Sequence, residues 1–181
     1  MLRREFIAGL GSAAVWPRAV RAQQPAMPVI GVLITGTADD TKNYRVAFFQ
    51  GLKETGYVEG QNVAVEYRYA ENEFDRLPEL AADLVRRRVA VIVASGGDAA
   101  LAAKAATTTI PIVFSAGGDP VALGLVASLN RPGANVTGIS ALVSELSPKQ
   151  LQLLRELIPN APVFGVLVDP AFPDTQSVQI R

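Results

Sequence analysis

Residues 89–119 read VAVIVASGGDAALAAKAATTTIPIVFSAGGD, and this stretch decides the fold. Val89 to Ala94 is an apolar, β-branched run of strand length. Ser95-Gly96-Gly97-Asp98 interrupts it and opens an alanine-rich segment that predicts a helix to about Thr107. Pro111 to Ser115 is a second apolar strand, and it too ends in small residues, Ala116-Gly117-Gly118-Asp119. Two apolar strands joined by a helix run parallel, because the crossover carries the chain back to the same end of the sheet. Strands without polar alternation belong in a sheet covered on both faces.

Working towards the amino terminus, the unit repeats. Pro28 to Ile34 (PVIGVLI) is another buried strand, followed by the loop Gly36-Thr37-Ala38-Asp39-Asp40 with its capping residues. Tyr44, Ala47, Phe48, Gly51 and Leu52 share one helical face, and Gly56 ends that helix. Val63, Val65, Tyr67 and Tyr69 alternate with polar residues, as in a half-buried strand. Leu77, Leu80, Ala81, Leu84 and Val85 mark the next helix.

In the other direction, Asp119-Pro120 predicts a short helix through Leu129. Asn130-Arg131-Pro132-Gly133 is a turn, and Asn135 to Ser140 a fifth strand. The expected architecture is α/β, a doubly wound parallel sheet of order 2-1-3-4-5 within residues 23–140. Residues 141–181 read as the start of a second lobe, with a helix from Ser147-Pro148 to about Ile158 and a strand from Val163 to Val168.

Residues 1–22 read as an export signal rather than part of the fold. Arg3-Arg4 precede a short apolar stretch from Phe6 to Trp16, and Val20-Arg21-Ala22 offers small residues at −3 and −1 before Gln23. The apolar stretch is short of the roughly 20 residues a membrane span takes. Arg3-Arg4-Glu5-Phe6-Ile7 also fits a twin-arginine signal, so the expectation is a periplasmic protein exported by that route and cleaved after Ala22.

Composition removes most chemistries. Cysteine and histidine are both absent, which excludes thiolate metal sites, cysteine nucleophiles and any Ser-His-Asp arrangement. The whole chain has 17 basic and 17 acidic residues; four of the basic and one of the acidic lie in residues 1–22, leaving the remainder acidic by three. That balance argues against nucleic acid as a partner. Arg86-Arg87-Arg88, the one basic run, ends a helix and complements its dipole. The loop Gly36-Thr37-Ala38-Asp39-Asp40 cannot supply a dinucleotide fingerprint, and no Walker A or Gly-x-Ser-x-Gly motif occurs. No cofactor and no enzymatic activity are expected.

In open parallel sheets, ligands bind beyond the carboxyl ends of the strands, where the strand order reverses. The residues there are Thr35 and Gly36 after the first strand, Ser95, Gly96, Gly97 and Asp98 after the third, and Asp119 after the fourth. Two of these loops lead straight into predicted helices, whose free N–H groups favour an anion such as an amino-acid carboxylate. The plainer reading makes the glycines turn residues and Asp98 and Asp119 caps. Tyr67 and Tyr69 read as packing residues. Glu54, Glu59, Glu66, Glu71 and Glu73 read as solvated charges.

The segments Gly51-Leu52-Lys53-Glu54-Thr55-Gly56-Tyr57-Val58-Glu59-Gly60-Gln61-Asn62, Gly118-Asp119-Pro120-Val121 and Leu125 to Gly133, with Asn135-Val136-Thr137-Gly138, resemble the ABC-transporter substrate-binding proteins of the tryptophan/tyrosine-uptake type. The resemblance implies a type I periplasmic binding fold. Two lobes would close on a small solute near Thr35, Ser95-Gly96-Gly97 and Asp119, with an ABC permease at the membrane as partner. It also implies a second lobe of which residues 141–181 are only the beginning. A ligand-sensing domain of a signalling system, built on the same fold, is the alternative.

Overall fold

A computed structural model describes residues 27–142 and 146–165. Its centre is a five-stranded, all-parallel sheet of order β2-β1-β3-β4-β5. The strands are β1 (Val29–Ile34), β2 (Ala64–Tyr69), β3 (Val91–Ser95), β4 (Ile112–Ala116) and β5 (Val136–Ser140). The helices are α1 (Lys42–Glu54), α2 (Leu77–Arg86), α3 (Gly97–Ala106) and α4 (Ser147–Leu157). Order and direction are those expected from the alternating pattern. The predicted signal segment and its cleavage point lie outside the described residues.

β1 is an interior strand, and Ile30 to Ile34 are all buried, which explains its unbroken apolar run. Gly31 faces α2 so closely that an added Cβ would lie 2.9 Å from a Leu84 methyl. The larger core lies on that face, where Leu33, Ile92, Ala94 and Phe114 meet Leu77, Ala81 and Leu84 of α2 and Ala99, Ala100 and Ala103 of α3. Alanines at these α3 positions let the helix lie close to the strands; this is why an alanine-rich helix suits the site. Fully burying a leucine such as Leu84 is worth about 1.5–3 kcal/mol.

The opposite face is only partly covered. Ile30, Val32, Ile34 and Val63 pack with Phe48 and Leu52 of α1 over β1 and β2. Val91 and Val93 are half-buried there, while Val113 is 41% and Ile139 73% exposed. Coverage of both faces along the whole sheet therefore fails among the described residues: α1 packs on β1 and β2, while β4 and β5 keep exposed apolar side chains. The α1 stripe also differs from the expected one. Tyr44, Arg45, Phe48, Phe49 and Leu52 face inward, while Ala47 and Gly51 are exposed. Arg45 lies over the Tyr67 ring, its guanidinium carbon 5.0 Å from the centroid. Burial pushes the Tyr67 hydroxyl up to about 12, against the opposing influence of Arg45.

Three further expectations need correction. Asp119 to Leu129 forms turns rather than a helix: Gly124 takes φ +72°, and the N–H groups of Leu125 and Val126 both donate to the Pro120 carbonyl. That turn drives Leu125 and Val126 into the core, which a regular helix from Asp119 would not do. Arg86 and Arg87 do more than complement the α2 dipole. Asp83 accepts from Arg68 at 2.7 Å, from Arg87 at 3.0 Å and from Arg86 at 3.2 Å, and Glu66 joins through Arg68 and Arg87. The Arg68 hydrogen bond holds the Asp83 carboxyl below its ordinary range, burial opposes this, and Arg87 adds to it. Finally, Val163 to Gly165 is not a strand, and Val166 to Val168 lies outside the described residues.

Candidate ligand-binding site

Parallel pairing aligns the carboxyl ends of β1 and β3, with Ile34 opposite Ser95. From there the two chains diverge. β1 leads to α1 on one face and β3 to α3 on the other, so the strand order reverses between them and opens a crevice at this edge. Thr35 and Gly96 meet across that crevice. A Cβ added to Gly96 would lie 3.0 Å from Cγ2 and 3.2 Å from Oγ1 of Thr35.

Gly96 holds φ +106° and ψ 151°, a region open essentially to glycine alone. This conformation turns the chain from strand to helix within one residue. The Gly96 N–H donates to the Ser115 carbonyl at 2.9 Å, and its own carbonyl accepts from Ala100 at 3.1 Å. The N-cap position of α3 is Gly96, which makes no side-chain cap hydrogen bond. Asp98 sits inside the first turn rather than ahead of it, so the N-cap role passes to Gly96. Gly97 is held close to Leu123, whose methyl would lie 3.3 Å from an added Cβ.

The loop after β1 is fixed by its own side chains. Asp40 accepts from Thr37 Oγ1 at 2.6 Å and from Thr37 N–H at 3.2 Å, and these bonds hold its carboxyl below the ordinary range. From β2, the Asn72 N–H donates to the Thr35 carbonyl at 2.8 Å and the Glu71 N–H to that of Gly36 at 3.3 Å. Thr35, Gly36, Ser95, Gly96, Gly97 and Asp98 are thus gathered at one crevice. Asp119 stands one strand further along, and its Oδ1 accepts from the Val121 N–H at 2.8 Å, an Asx turn rather than a helix cap. Glu71, read from the sequence as a solvated charge, is exposed, and the sequence reading did not connect it or Asn72 to the end of β1. An asparagine just past a strand, tolerant of left-handed backbone, was the available signal.

A cavity of about 140 Å³ lies elsewhere, between β4, β5 and the turn after Asp119, lined by Phe114, Pro120, Val126, Pro132, Gly138 and Leu142 among others. Gly138 packs directly on Phe114, with no room for a side chain. Among the described residues there is no group of three or more metal-binding side chains and no helix long and apolar enough to cross a membrane.

A doubly wound lobe that gathers polar, glycine-rich loops at its switch point is of the ligand-binding class. The chain belongs to the ABC transporter substrate binding protein family, whose model matches residues 29–180. It is 37% identical over 120 residues to the tyrosine-binding protein of Clostridioides difficile (strain R20291), covering 66% of this chain and 34% of that protein. The ligand-free, open structure of a substrate binding protein with adhesive properties from Clostridium difficile is similar at 33% identity and a TM-score of 0.63. That match covers 74% of this chain and 45% of the other. An ABC domain in complex with L-Trp from Streptococcus pneumonia is similar at 27% identity and a TM-score of 0.58, covering 67% and 44%. The chain therefore spans about a third of the curated relative's length and under half of each solved structure's.

Proposed function

We propose that this protein is the exported solute-binding subunit of an ABC transporter, and that it captures a small, amino-acid-like solute bearing a carboxylate. The observation that carries this reading is the approach of Thr35 to Gly96 at the switch point, where the N-cap of α3 is a glycine. Backbone N–H groups at a helix start attract an anion by about 0.3–1 kcal/mol, and up to ~2 when partly buried. Gly96 and Gly97 admit the side chains of Thr35 and Leu123, which an added Cβ would meet at 3.0 and 3.3 Å, and so hold the start of α3 against the end of β1. The tyrosine- and L-Trp-binding relatives support an amino acid as the solute class.

In this reading residues 1–22 are the signal, 23–140 the amino-terminal lobe and 141–181 the hinge with the start of the second lobe. The solute is handed to a membrane permease, and the chain performs no catalysis. Near the crevice, Asp40 accepts from Thr37, Asp119 accepts from the Val121 N–H, and Asp39 and Glu73 sit in ion pairs. Calorimetric screening of carboxylate-bearing amino acids, with their esters as controls, tests the solute class. Binding of L-tyrosine or L-tryptophan but not of the esters is expected, and equal binding of acid and ester would overturn the carboxylate assignment. Intact mass of periplasmic protein, starting at Gln23, tests export and cleavage.

A further inference from the structure

The loop leaving β2 holds two successive non-glycine residues in left-handed backbone, Glu71 at φ +57° and Asn72 at φ +64°. Asparagine tolerates this region, but glutamate has no local hydrogen bond with which to compensate it. Arg88, also left-handed, directly follows the end of α2, where that conformation is common. Glu71 follows a strand, and no helix end accounts for it. The conformation is imposed by two hydrogen bonds, from Glu71 N–H to Gly36 and from Asn72 N–H to Thr35. Those acceptors are the two residues at the end of β1 assigned to the solute crevice. Strained backbone that neighbouring structure enforces in this way gathers at functional sites.

Acidic residues near Glu71 in the chain and in the neighbouring loop have partners of their own. Asp39 pairs with Lys42, Asp40 with Thr37, and Glu73 with Arg76. Glu71 is exposed and has no ion-pair partner among the described residues. An amino acid is a zwitterion; if its carboxylate sits at the start of α3, its ammonium requires an anion close by. We propose that Glu71 is the specificity residue that receives the ammonium group of the solute. This rests on the amino-acid reading above and assigns the ammonium a counter-charge.

The test compares L-tryptophan with indole-3-propionate, which keeps the ring and carboxylate but lacks the ammonium. Both are titrated into the whole chain and into Glu71→Gln by amide chemical-shift mapping, which reads dissociation constants into the millimolar range. Wild type is expected to prefer L-tryptophan by about tenfold or more, the size of one charge-assisted contact. Glu71→Gln should abolish that preference by weakening L-tryptophan alone. Equal weakening of both compounds would make Glu71 a structural support for the loop and overturn the proposal, as would an undiminished preference. Failure of wild type to bind either compound would overturn the amino-acid reading itself and this proposal with it. Wild-type binding of both compounds with equal affinity would overturn the ammonium contact and leave the carboxylate site standing.

Discussion

Replacing Gly96 with alanine tests the contact between the end of β1 and the start of α3. The substitution has two consequences that add. Gly96 lies at φ +106°, ψ 151°, where an L-residue is strained by about 1–3 kcal/mol. The new methyl would also lie 3.0 Å from Thr35 Cγ2, so Thr35 or the start of α3 must give by a few tenths of an ångström. Together these predict a loss of about 2–4 kcal/mol, a large part of the 5–15 kcal/mol that holds a typical domain. The corresponding fall in Tm is roughly 10 °C. Urea unfolding followed by circular dichroism measures the loss directly. A second variant, Thr35→Ala with Gly96→Ala, removes both the Cγ2 and Oγ1 contacts and should recover the contact part while leaving the strain. If Gly96→Ala unfolds at the wild-type urea midpoint, the backbone described here for the β3–α3 turn is wrong. If Thr35→Ala recovers nothing, the two residues do not face each other.

Two other outcomes follow from packing and charge. Asp83→Asn removes the hub that joins Arg68, Arg86 and Arg87, and should lower Tm at pH 7. Because the folded carboxyl titrates below its ordinary range, the stability it contributes is present above that range and lost as pH falls through the folded value. The Tm gap between wild type and variant should therefore close in acid, and a gap independent of pH would show that the network is not the cause. On α4 and beyond it, Leu146, Leu153, Leu154, Leu157, Ile158 and Val163 are 44–79% exposed, and Val113 and Ile139 lie bare on the sheet. Size-exclusion chromatography of the 181-residue chain should show concentration-dependent self-association that deleting residues 146–181 reduces; a monomer at every concentration would contradict it.

The sheet was legible in the sequence because its signal is physical and local. A strand buried on both sides must be apolar throughout, so β1 and β3 announce themselves as VIGVLI and VIVAS. The loops at the crevice were legible for the same kind of reason, since a strand that turns into a helix within one residue needs a glycine such as Gly96. Long-range charge was not legible. Glu66, Arg68 and Asp83 look like surface residues until β2 and α2 lie side by side. The segment after Asp119 was misread because Asp-Pro satisfies helix-start rules, while the deciding event, burial of Leu125 and Val126 through a left-handed Gly124, depends on the finished core. The left-handed Glu71 was hidden too, for its conformation is dictated by carbonyls more than 30 residues earlier.

The account rests on the solute meeting the carboxyl edge between β1 and β3. A lobe that meets a solute from one side gives up contacts while most of the cost of fixing the ligand remains, so binding to the described lobe by itself should be weak. Losing ~4 kcal/mol of contacts moves a micromolar site to roughly millimolar. Amide chemical-shift mapping with L-tryptophan under these conditions is the most direct measurement. The largest perturbations should fall at Thr35 to Thr37 and Ser95 to Asp98, with smaller ones at Glu71 and Asn72. Perturbations confined to the cavity lined by Phe114, Pro120 and Leu142, with the β1 and β3 ends unmoved, would contradict the account.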